Sequence, residues 1–442
     1  MSGLIALGCA ANAMPVHASN TYTAVRGGQV QFEKYLVYDS TALPVDATFS
    51  FTLTSSGNAI AASGSDIAVY SGDDSSIQVI DNTKDAVTVG TAVFTNATTK
   101  YTTVQNLDAS VNLGEHATLT QDPVDLTKDQ SGQTLPTGKT NAYSRVPVTI
   151  DFTNVNFTEP GVYRWKINEN ANADAAAIGV TIDSADHFID VYVDSTGFTP
   201  SNTAGAGNGT LAIVGYVFHT DSSFQPTSLT TAEEPTNGKA KGFTNFYETH
   251  SLTISKNVSG NQAAHDKYFK FTISLDNAGA SNKIVATGSF DRTTANETTN
   301  TRTKAEYKNQ TQPTEIVTNS TGTVTQVYYL EHNQSVTLQG IPHNALVTII
   351  EDEEDYSPHY TYIDKDNALD AIDKMMLDAN VAEDEINIAM FTILGDMEFD
   401  FVNTKAGTIP TGIVNAVIPG VAIVLLGIAG VVIISQRKKA EE

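Results

Sequence analysis

Six residues carry most of the chemistry in this chain. They fall into two sets of Lys, Glu and Asn in the same order: Lys34, Glu169 and Asn245, then Lys256, Glu351 and Asn403. Residues two apart in a strand share a face, so the apolar residues of each segment identify its inward side. Val30, Phe32, Leu36 and Tyr38 enclose Lys34; Tyr163, Trp165 and Ile167 lead into Glu169; Phe243 and Tyr247 flank Asn245. Leu252, Ile254 and Val258 surround Lys256; Val347 and Ile349 lead into Glu351; Phe399 and Phe401 lead into Asn403. Burying such charges costs several kcal/mol unless they are paired or neutralised. An apolar interior favours the free amine of Lys and the protonated acid of Glu. The amine can then attack the Asn side-chain carbonyl while the Glu proton polarises that oxygen; proton relay expels ammonia and leaves an amide between side chains. Glu169 and Glu351 would be the catalytic groups, each acting once. The plainer alternative is a buried Lys–Glu ion pair hydrogen-bonded to an unrelated Asn, with lysines snorkelling at strand ends. It suits one trio; two trios in one order favour the bond.

Holding these faces inward requires strands. Between residues 19 and 405 the chain is rich in Thr, Ser, Asn, Gly, Val and Ile, with period-two segments separated by turn residues. The expected fold is all-β, two tandem immunoglobulin-like β-sandwiches over residues 19–249 and 250–405. The polar stretch Thr230 to Gly242 reads as a loop close to the boundary. One helix is expected, over Asp366 to Ala379, with Leu369, Ile372 and Met376 as the apolar stripe that packs on a sheet.

The chain has 442 residues with 25 Lys+Arg against 50 Asp+Glu, a net charge of −25 that makes nucleic acid an unsuitable partner. Its one cysteine, Cys9, excludes a disulfide framework and a Cys-rich zinc site. Residues 1–18 read as a secretory signal peptide truncated at its start, with Val16 and Ala18 at the −3 and −1 positions; a short buried helix is the alternative. Residues 413–434 form an apolar run of 22 residues, about 33 Å as a helix, followed by Arg437, Lys438 and Lys439. A C-terminal transmembrane helix with a cytoplasmic tail and an external body is expected.

Ile409, Pro410, Thr411 and Gly412 stand just before that span. Together with the span and the basic tail, residues 406–442 resemble the cell-wall sorting signal of Gram-positive surface proteins, in a form one residue shorter than LPxTG. That resemblance implies a sortase thiol attacking the Thr411–Gly412 bond. ISKNVSG at Ile254, VTIIEDE at Val347 and FDFVNTK at Phe399 resemble the C-terminal domain of streptococcal-type major pilins. GVYRWKINE, IDVYV, AIVGY and GFTN are similar to the N-terminal isopeptide-linkage domain of those pilins, whereas residues 55 to 143 have no clear counterpart. The resemblance implies that each Lys, Glu and Asn set forms one intramolecular isopeptide bond. It also implies that a lysine late in the first domain accepts the Thr411 acyl group, for which Lys239 and Lys241 in the GKAKG loop are candidates.

The expected function is a pilus subunit, wall-anchored outside a Gram-positive cell. Its expected partners are a pilus-type sortase, further copies of itself, peptidoglycan and a host or matrix ligand. A non-polymerised wall-anchored adhesin or minor pilin is the alternative, and a glycan-acting enzyme the third reading. No cofactor or metal is expected: HExxH, P-loop, GxSxG and dinucleotide motifs are missing, and the nine His show no ligand spacing. Asp364, Asp366 and Asp370 lack the Gly of a calcium loop. The acidic run after Glu351 reads as a solvated loop.

Overall fold

The computed structural model describes residues 22–55, 60, 67–106, 121–195, 209–229, 238–294, 303–352, 354–382 and 386–406. The expected signal peptide, Ile409 to Gly412 and the apolar run lie outside them. Among the described residues no helix is long and apolar enough to cross a membrane.

The chain is mostly β. The principal strands are β1 (Gln29–Asp39), β2 (Phe51–Ser55), β3 (Asn141–Asp151), β4 (Gly161–Glu169), β5 (His187–Ser195), β6 (Gly209–His219), β7 (Gly242–Tyr247) and β8 (Thr249–Ser259). They continue with β9 (Phe269–Asp276), β10 (Lys283–Gly288), β11 (Val324–Leu330), β12 (Gln334–Pro342), β13 (Leu346–Glu351), β14 (Ser357–Asp364), β15 (Ile388–Thr392) and β16 (Met397–Thr404). In the first half, one sheet runs β6-β5-β4-β2 and the other β7-β1-β3, each extended by short strands. In the second half, one sheet carries β10-β12-β8-β16-β14 and the other β11-β9-β13-β15. The paired inner faces bury two separate cores, one between Val30 and Tyr247 and one between Leu252 and Phe401.

Each core is closed by a parallel pair made of strands far apart in sequence: β1 with β7, and β8 with β16. Pairing strands so far apart in sequence closes a long loop, which is costly in chain entropy.

The apolar pattern of β1 identified its inner face, yet the opposite face is buried too. Tyr35, Val37, Val124 and Tyr143 form a small core there, and Asp122 accepts hydrogen bonds from Tyr35 (3.1 Å), Tyr143 and Arg145 (2.7 Å). Part of the segment without a counterpart therefore covers the outside of the β1–β3 pair.

The expected helix is shorter and turned. It spans Ala371–Val381, and Asp370 caps it by accepting from the backbone N–H groups of Ile372 and Asp373 at 2.8 Å. Asp364 holds the preceding turn open by accepting from Ala368 and Leu369, so residues 366–369 stay out of the helix. Its buried residues are Asp373, Leu377 and Asn380, while Ile372 is exposed. The Asp373 carboxylate, which accepts from Thr392 N–H on β15, fixes this rotation. The acidic run is not simply solvated either: Asp352 pairs with Lys304, Glu354 with Lys267 and Asp355 with Lys405.

Candidate functional site

All six residues of the two trios are buried; Lys34, Asn245, Lys256 and Asn403 are 0% exposed. Lys34 lies opposite Phe243 in the parallel β1–β7 ladder, and Asn245 stands two residues beyond Phe243. Lys256 lies opposite Phe401 in the parallel β8–β16 ladder, and Asn403 stands two residues beyond Phe401. An offset of two keeps Lys and Asn on one face of adjacent strands. The Glu comes from the other sheet in both halves, at the end of β4 for Glu169 and of β13 for Glu351.

In the first set, Lys34 Nζ donates to Glu169 Oε2 at 2.9 Å and Asn245 Nδ2 donates to Glu169 Oε1 at 2.8 Å, so one carboxyl group bridges amine and amide. In the second set Lys256 Nζ lies 2.8 Å from Glu351 Oε1, and Asn403 Nδ2 donates to the same oxygen at 3.0 Å. Aromatic rings wall off both amines: Lys34 Nζ sits 5.1 Å from the Phe49 ring centre and Lys256 Nζ 4.6 Å from that of Phe269.

This apolar enclosure lowers the Lys34 ammonium to about 8 against the pull of Glu169, and lowers Lys256 to about 8 against Glu351. Burial raises the Glu169 carboxyl, opposed by Lys34, Asn245 and the Asp183 N–H. The charged pair and the neutral pair hold the same number of protons. They differ by the position of one proton along a 2.9 Å hydrogen bond.

Two details differ from the sequence expectation. Each Glu touches the amide nitrogen of its Asn, not the oxygen. In the first set the oxygen is met by a group that the parity argument could not find, the backbone N–H of Asp183, which donates to Asn245 Oδ1 at 2.9 Å. Asp183 follows the short strand Val180–Thr181, which pairs with β7, and its carboxylate accepts from Thr244 N–H at 3.2 Å. Backbone donors leave no residue-type signal.

The two candidate acyl-acceptor lysines are placed differently. Lys241 is 2% exposed and lies beside Glu33, its carbonyl accepting from Glu33 N–H at 2.9 Å. Lys239 is only partly buried and bridges to His219 at the end of β6.

Asp364, Asp366 and Asp370 bond to backbone N–H groups instead of converging on a cation: Asp366 accepts from Asp396, and the other two serve the helix entrance. Among the nine His, which showed no ligand spacing in sequence, His250 Nε2 meets His343 Nδ1 and His265 stacks on His332.

Residues 30–248 match the family described as a Spy0128-like isopeptide containing domain, and residues 250–392 match a domain of unknown function, DUF7601. A curated relative, "Pilin" of Streptococcus pyogenes serotype M1, is 22% identical over 298 residues, covering 66% of this chain and 72% of the relative. Among solved structures, the major pilin T-13 of Streptococcus pyogenes is similar with a TM-score of 0.44 and 17% identity, covering 87% of this chain and 100% of that one. Another major pilin structure from Streptococcus pyogenes has a TM-score of 0.41 at 17% identity, over 87% of this chain and 100% of that one.

Proposed function

Because this chain is a pilin-family structural subunit of the Gram-positive type and not a turnover enzyme, we propose that it matures by two internal amide bonds, Lys34–Asn245 and Lys256–Asn403. A pilus-type sortase then joins it through Thr411 to further copies of itself, and the finished shaft is anchored to peptidoglycan. In this reading residues 1–18 direct secretion, 19–249 and 250–405 are the two immunoglobulin-like sandwiches, and 406–442 hold the subunit at the membrane until the sortase acts. The observation that carries the proposal is the duplicated geometry: two buried Lys–Glu–Asn sets with the same strand offset and the Glu from the facing sheet.

The contacts support a simple order of events. A proton passes from Lys34 Nζ to Glu169 Oε2, leaving a free amine beside a neutral acid. The amine nitrogen attacks Asn245 Cγ, and the Asp183 N–H receives the charge that grows on Oδ1. Glu169, through Oε1, protonates the departing Nδ2. The Nζ–Cγ bond forms, the Cγ–Nδ2 bond breaks, and the second proton lost from Nζ returns to Glu169, so the products are one amide and one ammonia. In the second set Glu351 Oε1 alone meets both Lys256 Nζ and Asn403 Nδ2, and no donor among the described residues reaches Asn403 Oδ1, so Glu351 carries the proton transfers there without a counterpart to the Asp183 N–H.

Function follows from where the bonds lie. First and last strands that pair in parallel are loaded in shear when the chain is pulled from its ends. With both bonds formed, tension crosses from Lys34 to Asn245, runs along the 256 − 245 = 11 residue steps to Lys256, and crosses to Asn403. The 245 − 34 = 211 and 403 − 256 = 147 residue steps between the bonded partners lie off the load path. An external fibre without disulfides can thus carry force without unravelling.

Of the two acceptor candidates we assign Lys239, since Lys241 is enclosed. In cells, the parent protein is expected to run as a ladder of covalent multimers that survives boiling in detergent, and Lys239→Ala should collapse the ladder to monomer with the protein still at the surface. A full ladder from Lys239→Ala would refute the assignment, and a parent without any ladder would refute polymerisation itself.

A further inference from the structure

The short connection between the two cores carries a group of side chains that the bond chemistry does not use. Glu248 links β7 to β8, His250 lies at the start of β8, and His343 lies in the turn between β12 and β13. Their side chains converge. His250 Nε2 and His343 Nδ1 are 2.9 Å apart, and Glu248 Oε1 lies 3.8 Å from the first and 3.9 Å from the second. From these positions we infer a divalent d-block cation site, of the zinc class, made by Glu248 Oε1, His250 Nε2 and His343 Nδ1.

A tetrahedral zinc ion with bonds of about 2.0–2.1 Å holds its nitrogen and oxygen ligands about 3.3–3.4 Å from one another. The three separations here straddle that value, so seating a cation asks each pair to move by about half an ångström. Glu248 and His343 are partly exposed and can make that adjustment; His250 is only 8% exposed and is the fixed member. Opening the His250–His343 contact from 2.9 Å, by a small shift of the partly exposed His343 ring, makes room for a cation between the two nitrogens.

The backbone around the site is already braced. His343 N–H donates to Glu248 O and Glu248 N–H donates to Gly179 O, both at 3.1 Å. Gly179, at φ +83°, leaves room for His343: a Cβ there would approach the His343 Cβ to 2.7 Å. Two nitrogen donors disfavour calcium and magnesium, which take oxygen ligands. Three protein ligands leave a fourth position for water. A cation here would fasten the connection at residues 248–250 to the β12–β13 turn, fixing the angle between the halves; this does not require either amide bond.

The test is calorimetric titration of the full chain, stripped with chelator, with zinc chloride at neutral pH. One zinc ion per chain is expected, with binding weakened more than about 100-fold in His343→Ala and about 10–100-fold in Glu248→Gln. His332→Ala should bind as the parent does, which separates this site from the stacked His265–His332 pair, and calcium should give no saturable heat. Cobalt(II) should show tetrahedral absorption bands in the parent that vanish in His343→Ala. No saturable zinc uptake by the parent, or unchanged affinity in His343→Ala, would overturn the inference.

Discussion

Pulled from its two ends, the mature protein is expected to release none of the chain between Lys34 and Asn245, whereas Glu169→Ala should release all of it in one event. At about 3.3–3.6 Å per residue, those 211 steps amount to about 700 Å of contour length. The second half behaves alike: Glu351→Ala should release its 147 steps, about 500 Å. Each variant is expected to expose one half and spare the other, since the two cores are separate. Single-molecule force spectroscopy reads these lengths directly. A parent that yields either length under moderate force would show that its ends are not covalently bridged.

Stability without load should fall as well. A covalent link across 211 residues restricts the unfolded chain by about 5 kcal/mol on the loop-entropy estimate used for disulfides, and one across 147 by nearly the same. Glu169→Gln keeps a hydrogen-bonding side chain in place but cannot relay a proton. It is expected to lower the thermal midpoint of the first half by about 10–20 °C, taking about 2–4 °C per kcal/mol for a unit of this size. Glu169→Ala should lose more, because buried Lys34 and Asn245 then lose their hydrogen-bond acceptor as well as the counter-charge. Differential scanning calorimetry with each Glu→Gln variant separates the halves; unchanged midpoints in both would mean that neither Glu supports a bond.

Much of the site was legible because its members sit on strands, where one residue's face fixes that of its neighbours. Lys34 among Val30, Phe32, Leu36 and Tyr38 is readable from spacing alone. Partners that depend on the closed fold were not. Asp122 reaches Tyr35 and Tyr143 only after a distant loop folds across β1 and β3. Asp183 acts through its backbone N–H, which every residue but proline has. His250 and His343 are 93 residues apart, a separation no ligand motif covers. The helix was found by its period but misrotated, because buried Asp373 bonds to β15 and displaces Ile372 from the packed face. Lys241 reads as a loop residue because its loop is polar, while its burial comes from lying beside Glu33 of β1, which no local pattern announces.

The most direct measurement is the intact mass of the folded protein, beside its Glu169→Gln and Glu351→Gln variants. Each bond expels one ammonia, so the parent should weigh about 34 Da less than its sequence and each variant about 17 Da less than its own. Peptide mapping should recover Lys34 joined to Asn245 and Lys256 joined to Asn403. A parent mass equal to that of the sequence would leave two buried ion pairs and no covalent bridge.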